Sequence, residues 1–369
     1  MNPFVLSGFW GERYFCNRQK ELKRLSESFK NKRNVTLISL RRMGKSALIH
    51  YHFNKINSKS DCIYIDLFPA QNFSEFINIF ANAIYEYFGK PIKQHLEDLT
   101  KLIRSLGATL SFNEITGSPE ISFGISKPIK SERNLKQLVD FLETRNKRVL
   151  IAFDEFQQIL TFDEKNIEAI LRTSFQNVKN INFIYSGSNK GMMESMFSNQ
   201  ARPFYQSTEF LYLYEIEKSE YKNFIASHFL AGGKKISDFQ IDFILEKCRD
   251  HTYYVQYFCN RLYSSNFNGE EEKFINIFQG ILIENEPIYM NYKNLLTRTQ
   301  WNLLKAIASE ESVKEPLASK FLTKYKLGSP SSIQRGLESL IKNDFLIWYK
   351  DELILTDVFF NNWLKLKNI

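Results

Sequence analysis

Glycine and proline are scarce in this chain of 369 residues, at 15 and 9. So few breakers of regular structure exclude a collagen-like or linker-rich scaffold and leave little room for long loops. Cysteine is scarcer still. Cys16, Cys62, Cys248 and Cys259 show no Cys-x-x-Cys or metal spacing, and reduced, structural roles are expected for them. The five histidines, His50, His52, His95, His228 and His251, form no His-Glu-x-x-His and stand at no zinc spacing from a cysteine. His50 and His52 read as finishing a helix face. Gly187-Ser188 lacks the glycine two residues on that a serine nucleophile turn needs, which removes serine-hydrolase chemistry. Nowhere do about 18 apolar residues run without a charge. The opening MNPFVLSGFWGERYF has no basic leader before an apolar stretch, so no membrane partner and a cytoplasmic location are expected.

What is present describes a folded protein. Apolar residues make up 43% and charged residues 24%, close to the globular average, and 33 Phe with 18 Tyr point to compact, aromatic-rich cores. The length suits two or three domains. Lys and Arg number 49 against 41 Asp and Glu, and the resulting +8 is spread along the chain, a weak pointer to a polyanionic partner.

The first two hundred residues alternate short β-branched runs with amphipathic stretches, the pattern of βαβ units and a mostly parallel sheet. An opening helix is predicted over Asn17 to Lys30, and strands over Val35 to Ser39, Cys62 to Leu67, Arg148 to Phe153 and Asn182 to Ser186. Helices are predicted from Lys45 and over Ser74 to Phe88. Between the second and third strands, Ala108 to Phe112 and Ile121 to Ile125 flank the turn formers Thr116-Gly117-Ser118-Pro119. That pattern predicts a β-hairpin inserted at about 107–127, either as loop decoration or as a docking arm.

Val35-Thr36-Leu37-Ile38 runs into Ser39-Leu40-Arg41-Arg42-Met43-Gly44-Lys45-Ser46, followed by Ala47 and an amphipathic helix. Apart from Ser39 in place of the first glycine, this is Gly-x-x-x-x-Gly-Lys-[Ser/Thr] between a strand and a helix. Gly44 lets the backbone approach phosphates, the helix N-terminus adds its positive dipole end, Lys45 reaches the β- and γ-phosphates, and Ser46 is placed for Mg2+. Ser39 replaces a residue free to take positive φ, so a weaker nucleotide site is anticipated. The alternative is a basic turn without a ligand.

A hundred residues on, Val149-Leu150-Ile151-Ala152-Phe153 ends in Asp154-Glu155. If this strand lies beside the first, Asp154 comes to the Mg2+ and Glu155 can polarise an attacking water, with Gln157 as a fallback. Ser188 and Asn189, after the fourth strand, are candidate γ-phosphate sensors. Arg202 is a weaker candidate for charge compensation, with a packing role as its alternative.

Taken in order, Phe15-x-x-Arg18-x-x-Glu21-Leu22, the RRMGKS loop, Phe153-Asp154-Glu155-Phe156-Gln157, Gly187-Ser188, Arg202-Pro203-Phe204-Tyr205 and His251-Thr252-Tyr253-Tyr254-Val255-Gln256 resemble the archaeal-type ATPase family. This is a STAND-like branch of the AAA+ P-loop NTPases that also occurs in bacteria. The resemblance covers roughly residues 10 to 265. It implies Walker A and Walker B elements, bound ATP and Mg2+, and slow hydrolysis of ATP to ADP and phosphate. It also implies that Phe15 and Arg18 lie near the adenine, and that a segment containing Tyr253 closes over the nucleotide from a helical lid. Asp250 and Thr252 replace the glycine and proline of the family's Gly-His-Pro-Tyr-Tyr-like lid segment.

The implied organisation is an α/β P-loop domain over 1–215, a helical lid over 216–290 and a winged helix over 291–369. The last domain is also read directly. A helix over Gln300 to Ala308, a second helix, the break Leu327-Gly328-Ser329-Pro330, a third helix over Ser331 to Asn343 and the runs Phe345 to Tyr349 and Glu352 to Leu355 follow the winged-helix order. The third helix offers Gln334, Arg335 and Lys342, but residues 331–369 hold five basic and five acidic residues, a poor balance for DNA. The leading expectation is a nucleotide-dependent switch with ATP·Mg2+ between the α/β domain and the lid, repositioning the winged helix toward a protein partner. ATP-regulated DNA binding and an ATPase within a signalling or defence module are the alternatives.

Overall fold

The structure is a computed structural model that describes residues 1–88, 101, 107–112, 119–123 and 128–367. Two compact units are formed, Ser7–Tyr214 and Met1–Leu6 with Glu215–Ile369.

The first unit is built on a five-stranded sheet of β1 (Val35–Ile38), β2 (Ser60–Asp66), β5 (Arg148–Asp154), β6 (Ile181–Gly187) and β7 (Glu209–Tyr212), in the order β2-β5-β6-β1-β7. Every pairing is parallel, so all five strands deliver their C-terminal ends to one edge, where open α/β sheets bind ligands. The side chains alternate between two cores. Ile63, Val149, Ile151, Phe153 and Phe183 face the helices Phe73–Phe88 and Pro128–Glu143, while Val35, Leu37, Leu150, Ala152 and Ile184 face Gln19–Lys30 and Lys45–Ile56. Phe153 is fully buried and stacks on Phe175, Phe183 and Tyr185. Burial of this kind contributes about 1.5–3 kcal/mol per large side chain, which explains the near-continuous apolar runs.

Two differences from the sequence reading bear on the site. β6 lies between β1 and β5, so the strand ending in Asp154 is not adjacent to the one feeding the phosphate loop. β7 was not anticipated: its four residues form an edge strand, too short to show a period. The inserted hairpin is present as antiparallel β3 (Ala108–Phe112) and β4 (Pro119–Phe123). Its strand at Ile121 is fixed to the helix Phe73–Phe88, because the Asn82 amide accepts from the Ile121 N–H at 2.6 Å and donates to its carbonyl at 3.0 Å. Residues 116–118 of the expected turn, 124–125 of its second strand, and His95 lie outside the described residues.

The second unit opens with the helices Lys218–Ala231, Asp238–Lys247, Thr252–Ser264, Glu271–Glu284 and Glu286–Leu295. The first six residues belong here because Phe4 is buried among Phe224, His228, Phe229 and Tyr263, and its carbonyl accepts from Asn260 Nδ2 at 2.7 Å. Helices Arg298–Glu310, Ser319–Lys324 and Pro330–Lys342 then lead into the ribbon of β8 (Leu346–Tyr349) and β9 (Glu352–Leu355), which is the winged-helix order. The first of these starts two residues before the sequence reading placed it, because Thr297 and Gln300 form a reciprocal capping box. A closing helix, Val358–Lys367, was not anticipated. Its Phe359 packs on Tyr254 and Tyr257.

Candidate nucleotide site

In the loop between β1 and the helix Lys45–Ile56, Met43 is buried in the core while the two residues before it, Arg41 and Arg42, are exposed. Gly44 takes φ 93° and ψ 23° as the residue that opens the helix, a left-handed conformation that disfavours any Cβ even though open space surrounds it. Ser39, the departure from the motif, is not among the positive-φ residues, and Arg42 at φ 61° is. The anticipated cost of replacing the first glycine is therefore absent at Ser39. Lys45 is buried with its Nζ 3.4 Å from the Leu40 carbonyl; burial lowers its pKa, opposed by the charges of Glu155 and Asp154.

Ser46 and Asp154 meet despite the intervening strand. Ser46 Oγ donates to Asp154 Oδ2 at 2.7 Å, the Tyr64 hydroxyl donates to the same oxygen, and the Glu155 N–H donates to Oδ1 at 3.0 Å. Burial raises the pKa of Asp154, but these side-chain donors outweigh it and hold the carboxyl below its ordinary range. The chain then turns sharply, with Glu155 at φ 51°. Glu155 Oε2 accepts from Ser188 Oγ at 2.7 Å and from the Gln157 amide. Ser188 is buried at the end of β6, and Gly187 before it leaves room for Gln157 and Met193.

The other candidates have partners of their own. The Asn189 side-chain oxygen caps the helix Lys190–Ser198 by accepting from the Met192 N–H at 3.0 Å. Arg202 pairs with Glu168 at 3.0 Å and reaches Ser195 at 3.3 Å. Phe15 packs on Phe9 and Tyr51, and Arg18, buried at φ 69°, opens the helix Gln19–Lys30 and pairs with Glu21 at 3.3 Å. In the second unit, Arg249 and Asp250 are both left-handed, at φ 52° and 53°, so Asp250 keeps a conformation natural to the glycine it replaces. His251 and Tyr254 are buried, whereas Tyr253 is half-buried against Tyr254 and Tyr257.

Residues 15–246 match the model of a family described as an ATPase domain predominantly from Archaea. The chain belongs to this ATPase family. Residues 287–366 of the same ATPase-family chain match a probable winged helix domain. No curated protein matches the sequence. Among solved structures, a Walker-type ATPase of Pyrococcus abyssi aligns at TM-score 0.67 and 17% identity, covering 98% of this chain and 99% of that one. The ORC2 protein of Aeropyrum pernix, in ADPNP and ADP complexes, aligns at 0.59 and 15% identity over 100% and 98% of the two chains. The ORC1 protein of the same organism, in complex with DNA, aligns at 0.53 and 11% identity over 100% and 97%. These likenesses establish a shared P-loop fold with a C-terminal winged helix.

Of the candidates read from the sequence, Ser46 and Asp154, and Glu155 and Ser188, are brought together as two hydrogen-bonded pairs. Sequence reasoning missed Tyr64. The available signal was the strand Cys-Ile-Tyr-Ile-Asp, where a tyrosine stands two residues before a strand-ending acid on what a βαβ reading makes a neighbouring strand.

Proposed function

We propose that the chain binds and slowly hydrolyses ATP at this edge of the sheet and acts as a nucleotide-dependent switch of the STAND-like kind. The observation that carries the reading is the Ser46 to Asp154 hydrogen bond. Its proton is spent on the carboxylate, so the serine lone pairs face away, and two oxygen ligands suit a hard cation. Bound Mg2+ would supply charge neutralisation on the β- and γ-phosphates. Ser46 and Asp154 would hold that ion, and the N–H groups opened by Gly44 would line the phosphates. Lys45, cationic between Glu155 and Asp154 in charge, offsets the developing negative charge. Glu155 orients the attacking water and accepts its proton, while Ser188 and Gln157 fix the carboxylate's direction. Glu155→Gln tests this: turnover should fall by about 10²–10⁴-fold with ATP affinity retained. Turnover at the parent rate would remove Glu155 from the role.

The segment Arg249 to Gln256 is the proposed reporter of nucleotide state to the winged helix. A protein partner fits that domain better than DNA. Glu338 is hydrogen-bonded by Gln334 on the helix Pro330–Lys342, and Lys350, at the ribbon turn, is paired with Glu215 at 3.1 Å. Both features cut the positive field that phosphate contact requires. A gel shift with duplex DNA at about 50 mM salt, with and without ATP, tests the choice; a salt-sensitive shift would reverse it.

A further inference from the structure

We infer that Tyr64 is a positioning residue for Asp154, fixing which of its carboxylate lone pairs is presented toward the cation; this rests on the nucleotide reading above. β2 and β5 run parallel with Tyr64 opposite Ala152 and Asp66 opposite Asp154. Two residues of strand span about 6.6 Å, a distance a phenol side chain covers, so Tyr64 reaches along the sheet to the acid at the end of the next strand. Its hydroxyl donates to Asp154 Oδ2. The ring is held from the other side by His50, with centroids 4.6 Å apart, and His50 stands one helical turn after Ser46. One side chain is thus wedged between the helix that carries Ser46 and the strand that carries Asp154.

Ser46 and Tyr64 both donate to Oδ2 and the Glu155 N–H donates to Oδ1, so the two hydroxyls converge on one carboxylate oxygen. Without the Tyr64 hydroxyl, Oδ2 keeps Ser46 as its hydroxyl donor and the carboxylate has more freedom about its terminal torsion, which is soft. The ring would pack equally well as phenylalanine, so packing does not account for the hydroxyl.

The test uses the full chain and a fluorescent ADP analogue, so that no turnover is involved. Binding is titrated in EDTA, and then MgCl2 is titrated at fixed nucleotide. In Tyr64→Phe, the Mg2+ concentration at half-effect should rise about tenfold or more, as for other outer-sphere partners of metal ligands, with the EDTA affinity unchanged. Ile65→Val, a change at a neighbouring buried residue on the opposite face of β2, controls for general loosening of the strand and should leave the Mg2+ midpoint unmoved. Equal midpoints in the parent and Tyr64→Phe, or parallel shifts in both titrations and in both variants, overturn the inference but leave the nucleotide reading. A parent chain that binds no nucleotide, or binds it without any Mg2+ effect, removes both.

Discussion

Ser46 and Asp154, 108 positions apart, share a 2.7 Å hydrogen bond between the first turn of one helix and the last residue of a strand two places away in the sheet. The contact needs neither strand adjacency nor a long side chain. The second residue of the phosphate-loop helix reaches the end of β5. A hydroxyl that gives its proton to a carboxylate keeps its lone pairs for the proposed cation. Glu155, held by Ser188 just after the intervening strand, is the next residue in the chain after Asp154.

Gly187 is constrained by space. A Cβ there would lie 2.5 Å from Met193 Cγ and closer still to Gln157 Oε1. Gly187→Ala should displace Gln157 from Glu155 and cost about 1–3 kcal/mol of stability from overpacking. Turnover should fall more than nucleotide affinity does. Denaturant melts with steady-state kinetics would show this, and an alanine variant with parent kinetics would contradict it.

Arg249 ties the turn before the helix Thr252–Ser264 to the winged helix. Its guanidinium donates to the carbonyls of Leu355 at 3.2 Å and Glu311 at 3.0 Å. ATP, but not ADP, is expected to slow hydrogen exchange at residues 44–46 and 249–256, with a linked change across 294–369, because only differential affinity for two arrangements moves an equilibrium. In Arg249→Met the linked change should vanish while protection at 44–46 stays. Protection confined to 44–46 in the parent would remove the switch.

Much of this was readable from the sequence because the sheet is buried on both faces. Val149 to Phe153 and Phe183 to Tyr185 are unbroken apolar runs, and each leads into the polar residues of the proposed site. The winged-helix order was legible because the break at Leu327 to Pro330 and the turn at Lys350-Asp351 punctuate it. Strand order was not legible, since periodicity says which face is buried and nothing about neighbours. β7 was too short, and Tyr64 was hidden because its role depends on register with a strand some ninety positions away. Asn189, a candidate sensor in the sequence, also caps a helix through its side-chain oxygen, a second use open to any asparagine that precedes a helix.

His52 should give the fold a pH dependence of its own. It is buried against Phe29, and burial lowers its pKa from 6.5 to about 4. The unfolded chain binds the proton below about pH 6.5 while the native chain refuses it until about pH 4. Stability is therefore complete above pH 6.5 and falls through that window, by on the order of 3 kcal/mol at its lower end. Urea melts from pH 7 to 4.5 should show the loss, and His52→Phe should flatten it. An unchanged slope in the variant would assign the acid sensitivity to other groups.

Calorimetric titration of ATP·Mg2+ into the parent chain and into Lys45→Ala, with melting curves of both, addresses the central claim most directly. The parent is expected to bind, and at about 100 times its dissociation constant the nucleotide should add roughly 2.7 kcal/mol to stability. Lys45→Ala should keep its fold and lose both the heat and the stabilisation. Equal binding and equal stabilisation in the two proteins would place the nucleotide away from the Gly44, Lys45 and Ser46 loop and contradict the account.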